Sequence, residues 1–250
     1  MSAVNKHESY RGKGTFYFKK KGDDAVGLIP VGNASQGDIA FAESKVEQKD
    51  FEEAGGAVID SISSVDNVTL TLQVLNLNTS NIARAIGGSS AELAIATIVE
   101  ATSFTSKGSF IPFDKIPDKS QTITVTNADA STTFVDGADY EMRNSGLVIL
   151  SDALAGTSGV VNYTSVDFDK IQALTEIGGE YELVYDGYNE ARKTVFKMKA
   201  HRVKIGLTQA LQLISDDYAG LPLTVDLLKD PSVSGTGLSK YFYVDKQKAA

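Results

Sequence analysis

Side chains able to carry catalysis are few in this chain and scattered along it. His7 and His201 are its two histidines; the first lies in a polar leading stretch, the second in a strand-like run beside Arg202. A metal centre or a nucleophile–base pair built on imidazole needs further ligands or partners at fixed spacing, and neither histidine has them. Asp216-Asp217 and the Asp167/Asp169 pair offer the oxygens that hard cations prefer. Neither lies in a glycine-punctuated calcium loop, so both read as turn acids. Gly12-Lys13-Gly14 lacks the spacing and the following helix of a phosphate loop, and no serine sits in a nucleophile elbow. Tyr181, Tyr185 and Tyr188 read as residues on the face of a sheet rather than as a stacking platform for bases. No catalytic centre, cofactor or metal is expected.

The elements that would position these residues are mostly strands. The 22 glycines, five prolines and plentiful Val, Thr, Ile and Tyr favour strands and turns, and 42% hydrophobic residues suit a globular protein. Strands are predicted over Gly14–Lys21, Val26–Val31 and Asp38–Val46, the last followed by a polar, acidic loop over Gln48–Glu53. Asn67–Leu75 alternates cleanly, with Val68, Leu70, Leu72 and Val74 toward a core and Thr69, Thr71 and Gln73 on a wetter face. A two-turn helix follows over 79–86, capped by Asn78 or Thr79, with Ile82, Ala85 and Ile86 as its apolar stripe and Gly87-Gly88 as its stop. Leu93–Phe104 reads as a strand with Leu93, Ile95, Thr97 and Val99 on one face.

From Asp118 to Val166 the texture turns to Ser, Thr, Asn and Asp, with short strands at Thr122–Thr126, Leu147–Leu150 and Val160–Tyr163. This segment is expected to be an inserted β element, decorating the outside. The chain thereby divides into 1–117, 118–166 and 167–250. Over Thr194–Leu207 the apolar positions switch from even (Phe196, Met198, Ala200) to odd (Val203, Ile205, Leu207). A β-bulge produces that change of parity; two strands with a concealed turn are the alternative. Finally, Asp216, Asp217 and Gly220 mark a turn before the alternating strand Leu221–Leu228, which Asp230-Pro231 ends.

Several of these segments, in this order, resemble the major tail tube protein of long-tailed, siphovirus-type bacteriophages. They are LIPVGNAS, VTLTLQVLNL feeding TSNIARAIGG, GADYEMRNSGLVILSD with VVNYTS, EYELVYDGYNEARKTVFKMKAHRVKI, LISDDYAGLPLTVDLLKDP and the closing KYFYVD. The resemblance implies a mainly β fold, an antiparallel β-sandwich or barrel-like tail tube domain with one short flanking helix and an inserted β element. It implies homohexameric rings whose inner sheets close into a barrel and which stack head to tail into a hollow, sheathless tube. Double-stranded DNA would pass through that tube on ejection without being specifically bound. A tape measure protein, a tail terminator and tail assembly chaperones are the implied partners, and the virion, after synthesis in the bacterial cytoplasm, is the implied location.

Charge and composition are compatible with such a subunit. The formal charge of −8 disfavours a protein that grips phosphates, though an acidic wall past which DNA slides is consistent with it. Absence of cysteine suits a reducing compartment. The leading MSAVNKHESYRGKG lacks a signal peptide's apolar stretch, and no apolar run approaches the roughly 20 residues that span a bilayer, so a soluble, unexported protein is expected. The basic stretch Arg11, Lys13, Lys19, Lys20 and Lys21 and the acidic stretch Glu47, Asp50, Phe51, Glu52 and Glu53 read either as two solvated surfaces or as the two halves of an inter-ring contact. Thr69, Thr71 and Gln73 are the candidate channel-facing residues. A β-sandwich adhesin or carbohydrate-binding module is the alternative from another class; the lack of tryptophan weighs against it.

Overall fold

The computed structural model describes residues 9–52 and 55–248; His7 and Glu53 lie outside the described residues. In chain order the first elements are β1 (Gly12–Lys20), β2 (Ile29–Pro30), β3 (Ala34–Lys49), β4 (Val58–Val74), α1 (Thr79–Ala85) and β5 (Ser89–Leu93). Seven short strands follow: β6 (Thr97–Ser103), β7 (Phe110–Pro112), β8 (Thr124–Asn127), β9 (Thr133–Phe134), β10 (Tyr140–Met142), β11 (Gly146–Ile149) and β12 (Ser158–Thr164). The last are β13 (Phe168–Gln172), β14 (Glu180–Asn189), β15 (Thr194–Ile205), β16 (Leu221–Leu227) and β17 (Phe242–Lys246). The fold is mainly β, with antiparallel sheets and one helix, as the alternation and turn residues predict.

Two compact units share the chain: residues 1–90 with 171–250, and residues 91–170. The first is built on one eight-stranded sheet in the order β2-β1-β14-β15-β16-β4-β3, with β17 added beside β15. This sheet rolls over, because Gly37 on β3 lies against the ring of Phe16 on β1, near the other end of the strand order. Inside the roll Phe18, Val31, Leu70, Leu72, Leu183, Ala200, Leu223 and Val225 are buried together. The alternating positions predicted for the core, Val68, Leu70, Leu72 and Val74, are all buried, whereas Thr71 is exposed and Thr69 and Gln73 are half-exposed. The parity switch in β15 is a bulge: His201 and Arg202 together face Glu182, so Met198, Ala200 and Val203 all reach the core.

Helix α1 is capped by Asn78, whose side chain accepts the Asn81 N–H at 2.8 Å, and Gly87 supplies the left-handed stop at φ 57°. Its buried residues are Asn81, Ala83 and Ala85, so the stripe is rotated from the expected Ile82–Ala85–Ile86. The cause is Asn81, which donates to the carbonyls of Val31 and Asn76, both at 2.8 Å, and so must face inward. Position 26–31 forms only the two-residue β2, since Val26 and Leu28 are exposed.

The second unit has its own core of Phe104, Val125, Leu147, Ile149, Leu154, Val161 and Tyr163, enclosed by the sheets β10-β11-β7 and β6-β12-β8-β9. The unit that contains 118–166 is therefore larger than that segment, spanning 91–170 and beginning within β5. The strand expected over Leu93–Phe104 is present as the shorter β6, and the face that holds Ile95 and Val99 points outward: Ile95 is 65% and Val99 71% exposed. Core packing comes from Ile98 on the other face and from Phe104.

An ionic clamp fastens the end of β1 to the segment after β16. Asp230 is nearly buried and accepts from Lys21 Nζ at 2.5 Å, from Ser232 Oγ at 2.6 Å and from the Ser232 N–H at 3.0 Å. The ammonium of Lys21, then the two Ser232 donors, hold the Asp230 carboxyl well below the usual carboxylate value of 3.8. A carboxylate depressed on folding contributes stability above its unfolded pKa and loses it as pH falls toward the folded one. Asp230→Asn is expected to cost roughly 2 kcal/mol near neutrality. In urea titrations at graded pH, the gap between variant and wild type should narrow as pH falls below about 4. A gap that stays constant down to acid pH would show that the charge is irrelevant.

Candidate functional site

The feature of the first unit that its own core does not explain is the far half of the β3–β4 hairpin. Leu221 to Asp226 of β16 pair with Val74 to Thr69 of β4, so β4 below Thr69 has no second neighbour. From Val58 to Asn67 it pairs with β3 alone, and every residue in that stretch is exposed. Of the region read as an acidic loop over Gln48–Glu53, the described residues 48–52 are the end of β3 and the start of the turn: Gln48 and Lys49 are paired with Asp60 and Val58. Two signals hid this. Serines at Ser61, Ser63 and Ser64 dilute the apolar pattern, and bulges at Ala42/Glu43 and Gln48/Lys49 shift its parity. The turn is closed by the Asp50 N–H donating to the Ala57 carbonyl at 2.7 Å. Gly56, at φ 58°, adopts a conformation that a side chain would strain.

The hairpin is not a polar surface. Phe41, Val46, Phe51, Val58, Ile59, Ile62 and Val65 are all exposed, Phe51 to 90%. Val46 stands directly opposite Ile62, and with Phe51 they line a hollow of about 500 Å³ that Glu47, Lys49 and Asp60 also border. Directly opposed residues share a face and form the unit of sheet stabilisation, yet an isolated two-stranded hairpin is marginal in water. Acids outnumber bases around it: Glu43, Glu47, Asp50, Glu52, Asp60 and Asp66 against Lys45 and Lys49. Lys45 pairs with Glu47 along the strand at 2.9 Å. Glu52 donates its N–H to Asp50 at 2.8 Å, an ordinary turn contact.

The basic stretch behaves differently from a loose arm beside the core. Arg11 immediately precedes β1, and Lys13, Lys19 and Lys20 lie on that strand, which buries Phe16 and Phe18. Three of its lysines are engaged within the same unit: Lys19 with Asp24 at 3.1 Å, Lys20 with Glu176 at 2.6 Å and Lys21 with Asp230 at 2.5 Å. Arg11 pairs with Glu190 at 3.1 Å in an exposed contact. Lys19, Lys20 and Lys21 thus serve the fold of their own unit, and Arg11 and Lys13 remain at the exposed start of the strand.

Thr69, Thr71 and Gln73 stand on the convex side of the sheet opposite Asp226, Thr224 and Pro222. Thr69 Oγ1 lies 3.4 Å from the Asp226 carboxylate. That patch is polar and carries no cation, a surface with little attraction for phosphate. On β14 and β15 the same side carries compensated charge: Glu182 with Lys199 at 3.0 Å and Glu180 with Arg202 at 2.5 Å. Asp216 and Asp217 lie in the loop before β16, where Asp217 accepts the Tyr218 N–H at 2.7 Å as a turn acid does. His201 sits in the β15 bulge near the ring of Tyr243. Among the described residues no group of three or more His, Asp or Glu side chains is placed to hold a metal ion.

No curated protein matches the chain. Residues 9–245 match one family model over nearly the whole of the two-unit structure, and the chain accordingly belongs to the family described as protein of unknown function UCP028589.

Proposed function

We propose that this chain is a structural subunit that assembles with copies of itself, the tail tube protein of a long-tailed bacteriophage. The observation that carries the reading is the far half of the β3–β4 hairpin, where the large apolar side chains Val46, Phe51, Val58, Ile59, Ile62 and Val65 are held in solvent on two strands and their turn with no third strand beside them. Covering such a surface is favourable by about 25 cal/mol for each Å² of apolar area removed from water. An enzyme or a sugar-binding module does not require it. A tube subunit does, because its sheet edges and projections are completed by neighbouring subunits. In this reading rings of six copies close their sheets around a channel and stack head to tail. The cation-free strip of Thr69, Thr71 and Gln73 faces the lumen past which DNA moves.

The hairpin then reaches a neighbouring ring. Apolar contacts through Phe51, Val46 and Ile62 provide the affinity, while Glu47, Asp50, Glu52 and Glu53 set register and encounter rate against basic residues such as Arg11 and Lys13. Tape measure, terminator and assembly chaperone proteins are the partners this role brings with it. Sedimentation velocity at rising protein concentration tests the proposal: a slow, monodisperse species gives way to large particles above a threshold. A sedimentation coefficient that does not change up to millimolar protein, at low and high salt, would exclude self-assembly.

A further inference from the structure

Arg84, in the last turn of α1, is a half-buried cation with no acid beside it among the described residues. Arg11, Arg143 and Arg202, by contrast, each lie against a glutamate. The Arg84 Nη1 donates to the Asn81 side-chain oxygen at 3.1 Å, and the guanidinium carbon stands 5.8 Å from the centre of the Phe18 ring. Asn81 is fixed in turn by its two bonds to the Val31 and Asn76 carbonyls, so it holds the guanidinium in place. A basic residue in a last helical turn offsets the carbonyl dipole, but that role leaves most of the N–H donors of a guanidinium unused. No fully buried side-chain polar atom among the described residues lacks a partner. The unused donors of Arg84 therefore open onto the space beside the helix.

That space is a pocket of about 210 Å³ within the first unit, with Arg84, Tyr181, Ile177 and Leu207 on its wall. Tyr181 brings a second free donor. Its ring meets the Phe18 ring edge-on at 6.1 Å between centres, so Tyr181 and Arg84 flank one phenyl group. The Tyr181 hydroxyl lies beside Gly179 on the pocket wall, 3.4 Å from where a Cβ would stand, and has no hydrogen bond among the described residues. Ile177 and Leu207, both exposed, form an apolar rim. Gly87 lets them close in, since a Cβ there would come within 2.9 Å of Leu207 and 3.3 Å of Ile177.

The other charges of the wall are matched. Glu176 is held by Lys20 at 2.6 Å, and Asp226 stands opposite Lys204 across β15 and β16. Lys204 also lies 3.8 Å from Glu180. One positive charge is left over. Burial pushes the pKa of Arg84 down, with nearby Tyr181 opposing, yet an arginine stays charged at neutral pH, and its desolvation is uncompensated until an anion is bound. Glu176 and Asp226 on the wall disfavour a doubly charged ligand. The volume is below the roughly 300–1,000 Å³ of clefts that enclose a whole ligand, and it suits one acidic group on a short stem.

We propose that this pocket binds a single carboxylate carried on a short apolar stem, with the Arg84 guanidinium and the Tyr181 hydroxyl donating to its oxygens and Ile177 and Leu207 against the stem. A free short-chain fatty acid has that chemistry, and so does a glutamate next to an apolar residue on a protein partner. The site does not depend on self-assembly.

Saturation-transfer difference NMR on the dilute full chain reads weak binding whether the chain is single or assembled. Hexanoate should give a signal that saturates in the millimolar range, and hexanol, the same stem without the charge, should bind about tenfold or more weakly. Arg84→Met should lower hexanoate affinity about tenfold or more, and Tyr181→Phe roughly three- to tenfold, with circular dichroism and urea unfolding checking that both variants fold. Hexyl phosphate, largely doubly charged above neutral pH, should bind more weakly than hexanoate. The amide of N-acetyl-leucyl-glutamate separates the two sources: affinity at least equal to that of hexanoate, and lost in Arg84→Met, places the carboxylate on a protein, whereas weaker binding places it on a free acid. A preference for hexyl phosphate would overturn the assignment to a carboxylate. No saturable hexanoate signal from the wild type, or an unchanged one from Arg84→Met, would overturn the site and leave the tail tube reading untouched.

Discussion

Val46→Ser, Phe51→Ser and Ile62→Ser introduced together should abolish assembly while the fold stands. All three side chains are at least 70% exposed and lie at the far end of a hairpin that contributes nothing to the buried core there. Surface substitutions of this kind change stability by about 0.5 kcal/mol or less, to which the lost Val46–Ile62 pair adds at most about 1 kcal/mol. In an assembly each side chain would lose roughly 1.5–3 kcal/mol of burial, and every ~1.4 kcal/mol is tenfold in affinity. The contact should therefore weaken by more than about a hundredfold. Circular dichroism and urea unfolding check the fold, and light scattering against concentration checks assembly. Unchanged assembly would mean that the hairpin is not covered by a neighbour.

Leu72→Ala carries the largest expected effect on the fold itself. Leu72 is fully buried, paired with Leu223 on one side and with Gly37 on the other, where the rolled sheet closes over Phe16. Neighbours built into a rolled sheet cannot collapse far into the space left behind, so a loss of about 3–5 kcal/mol is expected. Thr71→Ala, one residue away on the exposed face, should change stability by less than about 0.5 kcal/mol. Equal effects at the two positions, measured by urea unfolding, would contradict the assignment of faces.

Legibility from sequence followed the physics of each element. β16 and the core-facing half of β4 were readable because one face is buried and the other wet, so Leu70 and Leu72 alternate with Thr69 and Thr71. The bulge at His201–Arg202 was readable as a parity switch. The stripe of α1 was misread because its inward position is taken by Asn81, a polar residue whose partners, the Val31 and Asn76 carbonyls, come from elsewhere in the chain. The strand over 93–104 is present as β6, but Ile95 and Val99 are apolar yet exposed, and alternation reports a face without saying whether it is covered. The same ambiguity concealed the hairpin, where Ser61, Ser63 and Ser64 interrupt the apolar residues and two bulges break the period. Of the candidate assembly residues, Phe51 and Glu52 lie on an exposed projection, whereas Lys19 is held by the nearby Asp24 and Lys20 and Lys21 by acids distant in sequence, which no local pattern reveals.

Electron microscopy of the purified full-length chain, concentrated without any partner, tests the central claim most directly. Hollow rods of uniform bore with a regular axial repeat are the predicted result, and the Val46, Phe51 and Ile62 triple variant should show none. Fields that hold only separate small particles at every concentration and salt condition, from a protein with the expected β-rich circular dichroism, would contradict the account.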